Sequence, residues 1–318
     1  MGLPVTMYSG ADLGAPIIRP TSVADWLIIL KACLVDGYGT KEALGWTLEF
    51  EDVGTGKAVF KNKVSDGGSG GAFQYEPNVD PTFGQITCAN EILGLGNFVK
   101  KVGYRCIVTS TFSYAVEGWM IIGTSRGFWL IQEIGDAGGN TGNTNNLRSP
   151  SYAKYFTYYF IGDIDTFIPN DLNIFTLVST SYTSNMADLT IGNSTTNLAT
   201  NSFPPAAAIY NTDGSNIAQN YDSNYSGSSQ DADEAPTNDV FSINTTVGLG
   251  ECLMVKSSHS IEAPCVRGKI PGLFRMFAYG YRNIRCPILR TIGTNNYRLV
   301  NGYKTASWFI QYDGTWYE

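Results

Sequence analysis

The stretch that decides the fold is WMIIGTSRGFWLI, residues 119–131. Two short runs of β-branched and aromatic residues, 119–122 and 128–131, flank the glycine-bounded segment 123–127. Bulky side chains of these types favour strands, and a short Gly-containing connection between two such runs favours a hairpin. The stretch therefore predicts two paired antiparallel strands in the middle of the chain.

The same kind of pattern recurs on both sides of this hairpin. Further strands are predicted over residues 57–61, 84–93, 104–116, 152–161, 173–182, 241–247, 252–256, 273–279, 288–292, 307–312 and 315–317. The last two flank Asp313 and Gly314, a dipeptide typical of tight hairpins. Many short strands with Gly-rich turns predict a mainly β protein, either a β-sandwich or a barrel-like arrangement.

One amphipathic helix is predicted near the N-terminus. Ser22 is a good N-cap, and Asp25 lies three residues on, near the positive end of the helix. Gly37 and Gly39 can adopt the left-handed conformation that often ends a helix. The apolar residues at helical spacing are Val23, Trp26, Leu27, Leu30 and Leu34. We expect this face to cover a sheet.

Two long polar stretches divide the predicted strands. Residues 135–150 are rich in Gly and Asn, and residues 192–238 are rich in Asn, Ser, Thr, Asp and Ala. Loops of this length are uncommon in compact domains, so these loops are either mobile or held in place by neighbouring subunits, and the second alternative fits an assembly protein. They suggest three parts: an N-terminal helix-containing module (1–65), a central β region with long polar loops (66–240) and a C-terminal β module (241–318). No internal repeat is apparent.

The composition favours a soluble assembly protein over a nucleic-acid or membrane protein. Charged residues make up 15% of the 318 residues, and the net charge is −7, whereas ~25% charged residues is usual. The densest basic segment, 267–290, spreads six basic residues over 24 positions, which is typical of a solvated sheet face or of interface arginines. No apolar run approaches the ~20 residues that span a bilayer, and no signal peptide is visible. We expect neither nucleic-acid binding nor membrane insertion.

The six cysteines, at 33, 88, 106, 252, 265 and 286, include no Cys-x-x-Cys pair. Zinc and redox sites require such close pairs. Buried free thiols are the better interpretation, although the even number leaves disulfides possible.

Candidate catalytic residues are few. The one histidine, His259, would have to serve any Ser-His-Asp or Cys-His site. Ser69, between glycines 67–68 and 70–71, matches the nucleophile-elbow pattern formally, but no helix follows it as that motif requires. Asp163 and Asp165 could form a glycosidase pair or bind a cation, although a turn after an aromatic strand is the simpler interpretation.

Two weaker patterns concern ions and phosphates. Asp231, Asp233 and Glu234 offer oxygen ligands but lack the Gly and distant Glu of a calcium loop. Residues 54–57 lack the spacing of a phosphate-binding loop. We therefore predict no catalytic, cofactor or metal site. Aromatic residues, 13% of the chain, could stack on sugars, but they also dominate β-cores and interfaces.

Distinctive motifs lie near both ends of the chain: GAP (14–16), LKACLVDGYG (30–39), GW (45–46) and KAVFK (57–61), and then VRGKIPGL (266–273), YRLVN (297–301) and the closing Trp316. In these motifs the chain resembles a group of tailed-bacteriophage and prophage virion structural proteins. The resemblance covers roughly residues 5–62 and 262–318, about a third of the chain, and it implies no catalytic residues.

This resemblance and the residue patterns together predict a non-enzymatic virion protein in the tail, the collar or the capsid-surface decoration. It would be made in the host cytoplasm and assemble with copies of itself and with other virion proteins. The alternative is a receptor- or glycan-binding tail-fibre or adhesin component that recognises a host surface glycan. A depolymerase using Asp163 and Asp165 is a third hypothesis.

Overall fold

The computed structural model describes residues 2–19, 22–78, 83–108, 110–111, 114–136, 155–179, 188–191, 194–197, 206–213, 215–223, 249–256, 265–276, 288–301 and 307–317. Within them the chain is mainly β, with several sheets and one short α-helix, as the sequence predicts.

The elements follow the chain in this order. The first part contains β1 (Leu3–Pro4), β2 (Thr6–Ser9), α1 (Val23–Lys31) with a π-helical turn (Ala32–Asp36), β3 (Thr47–Asp52), β4 (Lys57–Lys61), a 3₁₀ turn (Val64–Asp66), β5 (Ala72–Pro77), β6 (Phe83–Gly94) and β7 (Asn97–Val108). The middle contains β8 (Ser110–Thr111), β9 (Tyr114–Gly123), β10 (Gly127–Asp136), β11 (Tyr155–Asp163), β12 (Asp165–Thr166), β13 (Phe175–Ser179), β14 (Asp188–Ile191), β15 (Ser194–Asn197), β16 (Ala206–Tyr210) and β17 (Ala218–Ser223). The last part contains β18 (Leu249–Lys256), β19 (Val266–Met276), β20 (Ile288–Ile292), β21 (Asn295–Asn301), β22 (Ser307–Gln311) and β23 (Thr315–Trp316).

Two antiparallel sheets dominate the architecture. The smaller has the order β3-β4-β5-β6-β7, and the larger runs β2-β9-β10-β11-β13-β16-β17-β18-β19-β22-β21-β20. The larger sheet curves far enough for β12, directly after β11, to pair with β19. Among the described strands it still has two free ends, β2 and β20, so it is not a closed barrel.

The predicted central hairpin forms and connects two hydrophobic cores. β9 pairs with β10 across the turn, with Trp129 opposite Ile122. Side chains alternate between the faces of a strand, so Phe128 and Leu130 enter one core while Trp129 and Ile131 enter the other. A strand that is buried on both faces has an almost continuous apolar sequence, which is why this stretch stands out.

The first core lies between the two sheets and the helix. Trp46 is at its centre, with its ring 5.7 Å from Phe73, 5.3 Å from Phe128 and 6.2 Å from Phe175, all edge to face. Fully burying each such side chain contributes roughly 1.5–3 kcal/mol. Trp26 and Leu30 of α1 are also in this core.

The second core lies on the other face of the large sheet. It is built from residues of β9–β11 together with residues from the C-terminal strands, including Trp308 and Trp316. Trp129 is held there by a hydrogen bond from its indole Nε1 to the carbonyl oxygen of Pro271, at 2.9 Å.

The helix begins and ends where the sequence predicts, although its cap differs. Ser22 precedes the first turn, but its side chain makes no capping hydrogen bond to the backbone. The buried Asp25 instead accepts hydrogen bonds from the Arg19 backbone and guanidinium. Gly37, at φ 78°, ends the helical segment after Asp36.

Three sequence-based predictions are wrong. The stretch 104–116 is divided among β7, β8 and β9 rather than forming one strand. Residues 192–238 are not wholly loop, because β16 and β17 form there and pair with each other. The third error is the C-terminal hairpin: β22 is flanked by β19 and β21, and β23 pairs with β1. Both edges of β22 are therefore already occupied.

The remaining predictions on organisation stay predictions. The five-stranded sheet is formed by strands between Thr47 and Val108, so the predicted boundary at residue 65 falls between two of its strands, β4 and β5. The division of the chain into three parts at residues 65 and 240 stays a prediction. The predicted strand 241–247 and most of the loop 135–150 lie outside the described residues.

Candidate functional site

The structure brings together two residues that the sequence presents as separate candidates, Ser69 and Asp163. Asp163 ends β11, and its side chain is fully buried. Ser69 lies in the loop between β4 and β5. Its backbone N–H donates to Asp163 Oδ2 over 2.8 Å, and its hydroxyl donates to Oδ1 over 2.5 Å. Ser69 thus uses its backbone N–H and its hydroxyl to bind a carboxylate that lies 94 residues away in the sequence.

Arg126 and Tyr317 complete this cluster, which we call the Asp163 junction (Ser69, Arg126, Asp163 and Tyr317). Arg126 Nε lies 3.6 Å from Asp163 Oδ2. The Arg126 guanidinium is 4.0 Å from the centre of the Tyr317 ring, a distance at which a cation is attracted to an aromatic face. The Tyr317 hydroxyl donates to the backbone carbonyl oxygen of Asp163 over 2.6 Å.

Glycines allow the backbones to meet at the junction. A Cβ on Gly162 would lie 2.3 Å from the Cα of Gly127, and φ at Gly162 is 144°. A Cβ on Gly127 would lie 2.6 Å from the Tyr317 hydroxyl. A Cβ contact under 3 Å would force atoms to move. Glycine at these two positions therefore lets the hairpin turn, the end of β11 and the C-terminal segment approach each other this closely.

Burial controls the electrostatics of the junction. Burial raises the pKa of Asp163 to about 6, and the Ser69 hydrogen bonds and the Arg126 charge oppose that rise only in part. Burial and the nearby Asp163 raise the pKa of Tyr317 well above its ordinary value. An ionised carboxylate is disfavoured where protein replaces its water.

The chemistry of Ser69 is that of an anchor. Its hydroxyl donates to Asp163 and also accepts a hydrogen bond from Gly71 N–H at 3.2 Å. The loop joins a 3₁₀ turn to strand β5, whereas a nucleophile elbow joins a strand to a helix. Asp165 has different partners from Asp163, since its carboxylate lies 3.5 Å from Lys269 Nζ.

A second buried ion pair was not predicted from the sequence. Arg267 and Asp171 both have fully buried side chains, with Nε 2.5 Å from Oδ2 and NH2 2.9 Å from Oδ1. The same NH2 group donates to the carbonyl oxygen of Tyr210 over 2.8 Å. Arg267 belongs to the basic segment that the sequence assigns to a solvated or interface surface, and for this residue that assignment is wrong.

The rest of the basic segment is described only in part. Lys269 is neutralised by Glu251 at 2.8 Å and by Asp165. Arg282 and Arg285 lie outside the described residues.

The tryptophans of this protein are all buried, at positions 26, 46, 119, 129, 308 and 316. Among the side chains that the structure describes, Phe167 is the one exposed aromatic residue. Stacking on sugars needs exposed rings, so the described surface offers little for that purpose.

Exposed aliphatic side chains are more prominent. Leu13 is 96% exposed and Ile17 is 78% exposed, although residues 10–19 are held firmly to the fold. Asp12 N–H donates to the Ser9 carbonyl at 3.0 Å, and the Trp119 indole donates to the Pro16 carbonyl at 3.0 Å. The Arg19 N–H donates to Asp25 at 2.8 Å. We call residues 10–19 the exposed segment.

The other candidates of the sequence are placed as follows. His259 and the acidic residues 231–234 lie outside the described residues. Residues 54–56 lie in the turn between β3 and β4, where Asp52 accepts the Gly54 N–H, and Lys57, the first residue of β4, pairs with Glu76 at 3.1 Å. In the described part of the chain no group of His, Cys, Asp or Glu side chains could hold a metal ion. No helix there is long and apolar enough to cross a bilayer.

The prediction of buried free thiols is confirmed for Cys33, Cys88 and Cys252. Burial raises the pKa of all three thiols. Cys265 is free but exposed. The side chains of Cys106 and Cys286 lie outside the described part of the structure.

No family model matches the sequence, and no curated protein matches it.

Proposed function

We propose that this protein is a non-enzymatic structural component of a tailed-phage virion, in the tail, the collar or the capsid-surface decoration. It assembles with copies of itself and with other virion proteins. Its two main sheets form a sandwich-like arrangement, and the amphipathic α1 covers one side of the core between them.

The observation that carries this proposal is the exposed segment. Two large aliphatic side chains, Leu13 and Ile17, are held in solvent by a backbone fixed at Asp12, Pro16 and Arg19. Contiguous exposed apolar surface marks interaction sites, and we infer that Leu13 and Ile17, four residues apart, together form such a surface. A backbone that is already ordered loses little conformational entropy when a partner binds. The segment also lies in the N-terminal region that resembles virion structural proteins.

The alternative, recognition of a host glycan, receives less support. Such a surface stacks aromatic rings on sugars, and the described aromatic side chains are buried or half-buried except for Phe167. Enzymatic activity also receives little support, because Ser69 and Asp163 use their polar groups on each other.

The proposal is tested first by self-association and by incorporation into particles. We expect the purified chain to form oligomers in analytical ultracentrifugation. We also expect it to be present at fixed stoichiometry in purified virions of the phage that encodes it. The double variant Leu13→Ser/Ile17→Ser should weaken both. Val53→Ser is the matched control, because Val53 is 83% exposed at a turn outside the segment.

Two results would count against the proposal. A chain that is absent from purified particles would exclude the virion role. Equal association of the wild-type protein and the double variant would exclude the exposed segment as the interface.

A further inference from the structure

Four parts of the chain converge on Asp163. The loop 62–71 contacts it through Ser69, the hairpin turn through Arg126, and the C-terminal segment through Tyr317, while Asp163 itself lies at the end of β11. These parts belong to both main sheets and to the segment that pairs with the N-terminal β1. The state of this one carboxyl group therefore affects the contacts between these four parts.

The junction accommodates an ionised carboxylate poorly. An ionised carboxylate has room for about four hydrogen bonds; Ser69 supplies two here and the Asn62 side chain a third. The Arg126 Nε is too distant, at 3.6 Å, for a good hydrogen bond to Oδ2, and this buried atom has no other hydrogen-bond partner. These donors and the Arg126 charge offset the cost of burying the carboxylate only in part, whereas a protonated carboxyl group is neutral and avoids that cost.

We propose that the Asp163 junction is a proton-sensitive clasp, which is closed most firmly when Asp163 is protonated and which loosens when Asp163 ionises. The inference does not depend on the proposed virion role. Opening would separate Ser69 and the C-terminal Tyr317 from the end of β11 and let water reach the carboxylate.

The direction follows from the proton balance. The pKa of Asp163 rises from its ordinary 3.8 to about 6 in the closed form, because burial disfavours the charge. Between these values the closed form keeps a proton that the open form has released, so closure weakens as the pH rises. Above about pH 6 the loss is complete, and since each pKa unit is tenfold in an equilibrium constant, it amounts to up to about a hundredfold.

The effects of other charged groups around the junction must be distinguished from the effect of Asp163 ionisation. They are Lys63 and Asp66 on the loop, Arg126 on the hairpin turn, Asp165 on β12 and Lys269 on β19. Lys63 pairs with Asp66 at 3.4 Å, and Asp66 also accepts the Ser125 hydroxyl. Burial also raises the pKa of Asp165, so Asp165 is the group that most needs a control.

The test is amide hydrogen exchange of the full-length protein, from about pH 4 to about pH 7.5, a range that brackets the ordinary and the raised carboxyl pKa values. The wild type is compared at each pH with Asp163→Asn, which cannot ionise, so that the intrinsic pH dependence of exchange cancels. We expect protection of residues 62–71 to fall with rising pH in the wild type, by up to about a hundredfold relative to the variant. Asp165→Asn should behave like the wild type.

Parallel protection curves for the wild type and Asp163→Asn would overturn the proposal. If Asp163→Asn does not fold, the side-chain carboxyl of Asp163 can be titrated directly by ¹³C NMR in the wild type. A midpoint near the ordinary 3.8 would then overturn it, whereas a midpoint near 6 that moves higher in Ser69→Ala would support it.

Discussion

The Asp171–Arg267 pair allows a sharp test of how this fold is held together. Both side chains are fully buried, and three hydrogen bonds surround the Arg267 guanidinium. Asp171→Asn keeps the shape of the side chain but removes its charge, which leaves a buried cation without its counter-charge. Losing one partner of a buried pair destabilises a protein by about 3–5 kcal/mol, a large share of a total stability of about 5–15 kcal/mol.

The assay is urea unfolding followed by tryptophan fluorescence, since the six tryptophans are buried in the folded protein. Glu51→Gln is the matched control, because Glu51 and Lys31 form a partly exposed pair at 2.8 Å. Exposed pairs contribute about 0–1 kcal/mol. The apolar double replacement Arg267→Met/Asp171→Leu should be less destabilised than Asp171→Asn, because it leaves no buried charge. The reasoning is refuted if Asp171→Asn loses no more stability than Glu51→Gln.

Two further predictions concern packing and cysteine reactivity. Gly71→Ala should destabilise the fold by about 1–3 kcal/mol, because the added Cβ would lie 2.1 Å from the Phe175 ring. The control Gly94→Ala, with open space around the added Cβ, should change the urea midpoint little. Equal urea midpoints for the two variants would contradict this. Iodoacetamide should modify the exposed Cys265 in the folded protein. It should modify Cys88, which is buried with a raised pKa, only after urea unfolds the chain. Peptide mapping by mass spectrometry would give the rate of modification of each cysteine, and equal rates in the folded protein would contradict the prediction.

The parts of the fold that the sequence predicts well are those that local patterns determine. The central hairpin is evident because β9 and β10 are apolar on both faces and are separated by a glycine-bounded turn. The helix is evident because apolar spacing, the first turn and Gly37 agree. In both cases the deciding interactions lie within a few residues of each other.

The errors arise where distant partners decide the structure. β16 contains Ala206, Ala207 and Ala208, and alanine is unfavourable in strands. It becomes a strand because β13 and β17 pair with its two edges. Likewise, the chain does bend at Asp313 and Gly314, as the sequence predicts. The strand after this bend, β23, nevertheless pairs with β1 at the other end of the chain and not with β22.

The candidate site was hidden for the same reason. The sequence marks Ser69 and Asp163 separately as possible catalytic residues, but no local pattern connects residues 94 positions apart. The sequence predicts Arg267 to be a surface or interface arginine because it belongs to the densest basic segment, 267–290. Its partner, Asp171, lies 96 positions away.

These two buried polar clusters supply information that the apolar pattern lacks. A one-residue slip of a strand exchanges its two faces, and for a strand such as β10, apolar on both faces, the hydrophobic pattern alone penalises such a slip only weakly. Asp163 ends β11, the neighbour of β10, and Arg267 lies on β19, which pairs with β12. A slip would separate Asp163 from its hydrogen-bond donor Ser69. It would also separate Arg267 from Asp171 and leave a buried charge unpaired, at several kcal/mol. The polar anchors therefore specify the strand register, while the aromatic cores supply most of the stabilisation.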